Sequence, residues 1–162
     1  MERLWAPWRM AYIGQGEVNG CIFCDKPILD DREAMIIYRS ELSFIMLNAY
    51  PYNNGHLLVS PFKHTSDLSS LSHEERQDLM NLVDIGINGL KQTCCPDGFN
   101  VGINLGRVAG AGVADHLHFH IVPRWNGDTN FMPVLSDIKV LPEALESVWS
   151  KLKDALSEEA EY

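Results

Sequence analysis

Long apolar runs are missing from this sequence, and none approaches the 18 or more consecutive residues needed for a membrane-spanning helix. The N-terminal stretch MERLWAPWRMAYIGQG carries charges and has no apolar core of signal-peptide length, so the expectation is a cytoplasmic protein without a membrane partner. Basic residues are also scarce. Thirteen Lys and Arg against twenty-two Asp and Glu give a formal net charge of −9, a field that repels nucleic acid and anionic surfaces. Only four cysteines occur, as Cys21-x-x-Cys24 and the adjacent Cys94-Cys95, too few for a disulfide-stapled secreted scaffold. Repeats and long linkers are absent too. What remains is 162 residues, 46% of them hydrophobic, which excludes disorder and suits one folded domain.

Along the chain, residues 1–20 hold Trp5 and Trp8 and read as an N-terminal arm, and 21–141 read as the main domain. Residues 142–162 read as a C-terminal helix and acidic tail. Strands are predicted at 34–38 (AMIIY), 42–47 (LSFIML) and 56–61 (HLLVSP), the last reached through Asn53-Asn54-Gly55. Ser72 with Glu75 fits a capping box, and Leu79, Leu82, Val83, Ile87 and Leu90 recur at helical spacing, giving a helix that ends before Pro96. His73 falls in its first turn and is expected at the surface. Two more strands follow at 99–105 and 116–122, separated by a glycine-bearing loop. The final helix is predicted from near Pro142 with a stripe of Leu145, Val148, Trp149, Leu152 and Leu156. The class is α+β, with a mainly antiparallel sheet and packed helices.

The most informative segment is HLHFHIVPR at 116–124. Strand alternation puts His116, His118 and His120 on one face and Leu117, Phe119 and Ile121 on the other, and half of the six histidines fall in five residues. Such a row serves either metal binding or nucleophilic catalysis at phosphorus. Upstream, the loop from Asn104 to Gly112 contains Gly106, Gly110, Ala111 and Gly112, whose backbone N–H groups can cradle phosphate oxygens. Cys21-Ile-Phe-Cys24 has metal-ligand spacing, and equally fits a redox pair or two buried thiols.

The run GRVAGAGVADHLHFHIVPR, with NGHLLVSP at 54–61, closely resembles the histidine triad (HIT) family of nucleotide hydrolases and transferases. The resemblance covers roughly residues 21 to 131 and implies a HIT-like fold and a covalent nucleotidyl-histidine intermediate. It makes His118 the nucleophile, gives His120 a role in phosphate binding, and makes His56 a fourth histidine that orients the network. Asn48 is implied as a ribose contact and Asn104 as a phosphate-side donor or a turn cap. Phe44, Met46 and Leu47 are candidates to flank the base, unless they are strand core. Arg124 is a candidate phosphate contact or ion-pair partner, and Trp125 a candidate boundary of the polyphosphate region. His64 and His116 resemble the zinc ligands of bacterial relatives and would complete a closed structural zinc site with Cys21 and Cys24; otherwise His116 remains in the catalytic hydrogen-bond network.

The segment PRWNGDTNF at 123–131 resembles bacterial enzymes that cleave diadenosine tetraphosphate, including phosphorylases. Gly112-Val113 stand where phosphoramidate-cleaving relatives carry Gln-Ser, which removes a hydroxyl near the leaving group. The expected activity is therefore cleavage of a dinucleoside polyphosphate, with water or inorganic phosphate as acceptor. Nucleoside phosphoramidate hydrolysis and non-catalytic binding of a purine nucleotide are the alternatives. The resemblance also implies a homodimer and no organic cofactor.

Overall fold

The computed structural model describes residues 20–130 and 140–159, with side chains to residue 157 in the last helix; the N-terminal arm with Trp5 and Trp8 lies outside the described residues. Five strands form one antiparallel sheet: β1 (Ile36–Arg39), β2 (Ser43–Leu47), β3 (Leu57–Pro61), β4 (Gly98–Ile103) and β5 (Phe119–Arg124). Their spatial order is β1-β2-β3-β5-β4, so β4 is an edge. The α+β class and the antiparallel sheet expected from the sequence are present.

Two short helices, α1 (Ile22–Asp25) and α2 (Asp31–Ala34), precede β1. The strand predicted at 34–38 starts late because Ala34 closes α2 and Met35 turns the chain in the left-handed region at φ 58°. Helix α3 (His73–Cys94) begins as its sequence signal requires. Ser72 accepts from the Glu75 N–H, while the Glu75 carboxylate accepts from the Ser72 N–H. Its apolar stripe, with Leu79, Leu82, Val83 and Leu90 buried, faces the sheet, and His73 is exposed. Helix α4 (Leu145–Glu159) starts three residues after Pro142 and inserts Val148, Leu152 and Leu156 into the same core.

The sheet has two apolar layers. Ile45, Leu47, Leu57, Val59, Leu117 and Ile121 pack against α3 and α4, whereas Phe44, Met46 and Leu58 point to the other side and pack around Phe23 of α1. Period-two alternation thus leaves the histidine face on the side opposite the long helices. A tight turn delivers His56 to that face: Gly55 adopts φ +74°, and a Cβ there would meet Leu90 Cδ2 at 2.9 Å. Gly55→Ala combines left-handed backbone strain with overpacking, so a loss of about 2 kcal/mol is expected in urea unfolding. An unchanged midpoint would contradict that reading of the turn.

Candidate active site

Strand β5 begins at Phe119 rather than at His116, so His116, Leu117 and His118 lie in the approach to the sheet. That approach is still anchored. The Leu117 N–H donates to the Thr65 carbonyl at 2.7 Å, and Ser60 Oγ donates to the Leu117 carbonyl at 3.0 Å. Leu117 is held in the helix-side core, and His116 and His118 are directed to the opposite face. The three histidines then fall into three neighbouring groups.

His118 is 5% exposed and lies under Phe23, ring centroids 4.6 Å apart and 29° between planes. Its Nδ1 is 2.8 Å from the His116 carbonyl, which can only accept, so Nδ1 carries the proton and Nε2 keeps its lone pair. Burial lowers the His118 pKa below the ordinary histidine value, although the bond to the carbonyl pulls the other way. The result is a neutral imidazole at neutral pH with a lone pair on its outer nitrogen. His120 stands edge-on to it at 5.0 Å.

The second group is an ordered relay. Two donors converge on His56 Nδ1: the Tyr52 N–H at 3.1 Å and the Asn48 side-chain amide at 3.2 Å. The Asn48 amide is oriented by its Oδ1, which accepts from the Tyr50 N–H at 2.9 Å. Neither donor can accept, so His56 is protonated on Nε2, which donates to His120 Nδ1 at 2.9 Å. His120 therefore carries its proton on Nε2. Tyr52 covers the pair, its ring centroid 4.6 Å from that of His56 and 5.7 Å from that of His120.

Burial, with the neighbouring His120 and His118 adding to it, lowers the His56 pKa to about 3. Between pH 6.5 and about 3 the unfolded chain takes up a proton that the folded chain refuses, so stability falls as pH falls across this window. The slope is about 1.4 kcal/mol per pH unit for one such residue. His56→Asn is expected to remove that part of the slope in urea titrations at pH 6 to 4. Equal slopes for wild type and variant would refute the assignment.

A third cluster sits at the start of the same strand. Cys21, Cys24, His64 and His116 place one ligand atom each within 4.8 Å of one another. His116 Nδ1 is 3.2 Å from Cys21 Sγ, 3.6 Å from Cys24 Sγ and 3.2 Å from His64 Nδ1, and Cys24 Sγ is 3.3 Å from His64 Nδ1. Vertices of a tetrahedral zinc site with N and S ligands lie about 3.3–3.8 Å apart, so the donor set and spacing fit that ion. His116 Nε2 donates to the Pro61 carbonyl at 2.9 Å, which leaves Nδ1 unprotonated toward the cluster.

The remaining predicted residues divide. Asn48 reaches the histidines directly. Phe44 and Met46 are buried around Phe23, and Leu47 is buried in the layer against the helices. Asn104 is half-buried at the start of the glycine loop, where the Gly110 and Ala111 N–H groups donate to carbonyls within the loop and Gly112 is exposed. Arg124 forks onto Asp128 at 2.6 and 3.1 Å and donates to Asn100 at 2.8 Å. With Tyr52, Asn53, Asn100 and Val122 it lines a cavity of about 290 Å³. Trp125 lines another cavity, of about 460 Å³, and its indole N–H donates to the Cys94 carbonyl.

Sequence reasoning missed Phe23 and Tyr52. The position of Phe23 between the two cysteines was the available signal; for Tyr52 only its nearness to His56 in sequence hinted at a role.

A family model described as "HIT domain" matches residues 30–127. An AP-4-A phosphorylase of Mycobacterium tuberculosis is 40% identical over 154 residues, covering 90% of this chain and 79% of that protein. An adenosine 5'-monophosphoramidase of Schizosaccharomyces pombe is 32% identical over 137 residues, covering 82% of this chain and 98% of that protein. Among solved structures, a Zn-bound histidine triad family protein from Mycobacterium smegmatis superposes with a TM-score of 0.67 at 27% identity, covering 88% of this chain and 96% of that one. Among the described residues, no helix is long and apolar enough to cross a membrane.

Proposed function

Because the chain belongs to the HIT domain family, we propose that it cleaves dinucleoside polyphosphates such as diadenosine tetraphosphate through a nucleotidyl-His118 intermediate, with inorganic phosphate as acceptor. The observation that carries the chemistry is the His118 tautomer: Nδ1–H on the His116 carbonyl, lone pair on Nε2, and the ring buried against Phe23. In the first half-reaction Nε2 attacks the α-phosphorus, a P–N bond forms, and the P–O bond to the departing ATP breaks. The His120 Nε2–H stabilises the charge that develops on the phosphoryl oxygens. A phosphate oxygen then attacks the same phosphorus, the P–N bond breaks, and ADP leaves with His118 restored.

Inorganic phosphate is preferred over water as acceptor because the AP-4-A phosphorylase matches 90% of the chain. Phosphoramidate hydrolysis is the second reading, favoured by similarity to the monophosphoramidase and opposed by the lack of a hydroxyl at Gly112-Val113. The acidic net charge is compatible with a nucleotide ligand, since the site itself is formed by imidazoles and an amide. Phe44 and Met46, on the histidine side of the sheet, are proposed to shape the base region, whereas Leu47, buried against the helices, is strand core; Asn104, Gly110, Ala111 and Gly112 are proposed to shape the phosphate region. Arg124 and Trp125 are assigned to the far end of the polyphosphate.

Zinc is assigned to Cys21, Cys24, His64 and His116 in a structural role: four protein ligands fill a tetrahedron and leave no open position. Cytoplasmic residence suits ligands that must remain reduced thiols. A homodimer is supported by the edge position of β4, where Asn100, Val101 and Gly102 are exposed and Leu105 and Val108 lie nearby at 52% and 105% exposure. Acid-sensitive P–N chemistry gives the direct test. Rapid mixing with diadenosine tetraphosphate without phosphate, followed by alkaline quench and peptide mass spectrometry, is expected to show an adenylyl group on the peptide carrying His118. Its absence, with ATP released, would refute a covalent route.

A further inference from the structure

Beyond His120 the histidine face continues along β5. Period-two alternation puts His120, Val122 and Arg124 on one side of the sheet, and the register sets Asn100 of β4 opposite Val122 on that same side. Here Tyr52, Asn53, Asn100, Val122 and Arg124 line the cavity of about 290 Å³. Tyr52 also stacks on His120, with ring centroids 5.7 Å apart and 17° between planes, so the cavity begins beside the histidines. We propose that this cavity is the subsite for the adenine of the departing nucleotide, packed against the Tyr52 ring and the flat guanidinium of Arg124. The proposal rests on the function given above and names what occupies the far end of its polyphosphate.

Arg124 offers a surface more than a charge. Its Nε and Nη2 donate to the two Asp128 carboxylate oxygens at 2.6 and 3.1 Å, and its Nη1 donates to Asn100 Oδ1 at 2.8 Å. Three bonds hold the guanidinium flat, and the Asp128 carboxylate offsets its charge, so a phosphate gains little there while an aromatic base gains a stacking face. The two amides then sort the base. Nη1 can only donate, so the Asn100 atom facing it is the oxygen, which leaves the NH₂ for a ligand. Asn53 is the converse: its NH₂ donates to the Pro123 carbonyl at 3.0 Å and to Asp128 at 2.8 Å, which leaves Oδ1. One donor and one acceptor match N7 and the N6 amino group of adenine, whereas guanine presents two acceptors on that edge. Size and distance agree. The volume falls just below the roughly 300–1,000 Å³ of pockets that enclose a drug-sized ligand, which suits a base and not a whole nucleotide. His120 and Arg124 are separated by four strand residues, about 13 Å, a span that three further phosphates and a ribose bridge from an α-phosphorus at His118.

Binding calorimetry tests the subsite apart from turnover. Folded, metal-loaded His118→Ala protein is titrated with diadenosine tetraphosphate and with adenosine tetraphosphate, which has the same four phosphates and no second base. The dinucleotide is expected to bind roughly tenfold tighter, the scale of one stacked base. Adding Asn100→Ala, at an exposed position, is expected to cut that ratio roughly threefold, as for one neutral hydrogen bond lost. Adding Tyr52→Leu instead is expected to bring the ratio close to one. Tyr52 also packs on the histidines, so the readout is the ratio of the two affinities, which a general loss of binding leaves unchanged. Equal affinities for the two nucleotides in the His118→Ala protein, or a ratio that either added substitution leaves unchanged, would overturn the subsite. If wild type cleaves no dinucleoside polyphosphate, the proposed function fails while the affinity ratio still decides the subsite.

Discussion

His118→Ala is expected to lower turnover of diadenosine tetraphosphate by about 10⁴-fold or more, because the variant lacks the atom proposed to form the P–N bond. The neighbouring groups stay in place. His120 is held by His56, and His56 by backbone and side-chain amides that do not involve residue 118, so nucleotide affinity should change far less than rate. The imidazole is nearly fully buried against Phe23, and its removal leaves a small void. Circular dichroism and metal content are therefore measured on the same sample. Turnover within tenfold of wild type, from a folded and metal-loaded variant, would remove His118 from the chemistry.

The second large effect concerns the Cys21–Cys24–His64–His116 cluster. Cys21→Ala removes one of the four proposed ligands and is expected to reduce bound zinc well below one ion per chain and to destabilise the fold by several kcal/mol. The loss should not stay local. His116 is the residue whose carbonyl orients His118, and Phe23, between the two cysteines, packs on the His118 ring. Loosening the loop thus relaxes both restraints on the nucleophile, and activity is expected to fall by more than the fraction unfolded. Zinc quantitation with urea unfolding checks the first part, and turnover per folded molecule the second. Wild-type metal content and stability in Cys21→Ala would sink the structural zinc assignment.

Much of this arrangement is legible in the residues themselves. The 22-residue helix α3 is marked by its capping box and apolar stripe, and His118 and His120 are placed on one face by period-two alternation. The strand ends were less legible. The predicted strand 116–122 overran because its first residues are held by Thr65 and Ser60, not by a strand ladder, a distinction that depends on chain segments distant in sequence. The division of labour among the histidines is equally non-local. His116 is drawn to two cysteines 92 and 95 residues away, and His120 to His56 across 64 residues. Gly86 and Gly89 illustrate the same limit: in sequence they only weaken a helix, yet side chains at those sites would meet Ile121 and Leu156.

The most direct test of the central claim is nucleotide analysis after metal-loaded protein is incubated with diadenosine tetraphosphate, with and without inorganic phosphate. Formation of ADP and ATP that depends on phosphate and disappears in His118→Ala is the expected result. No cleavage under either condition, or cleavage that persists without His118, would contradict it.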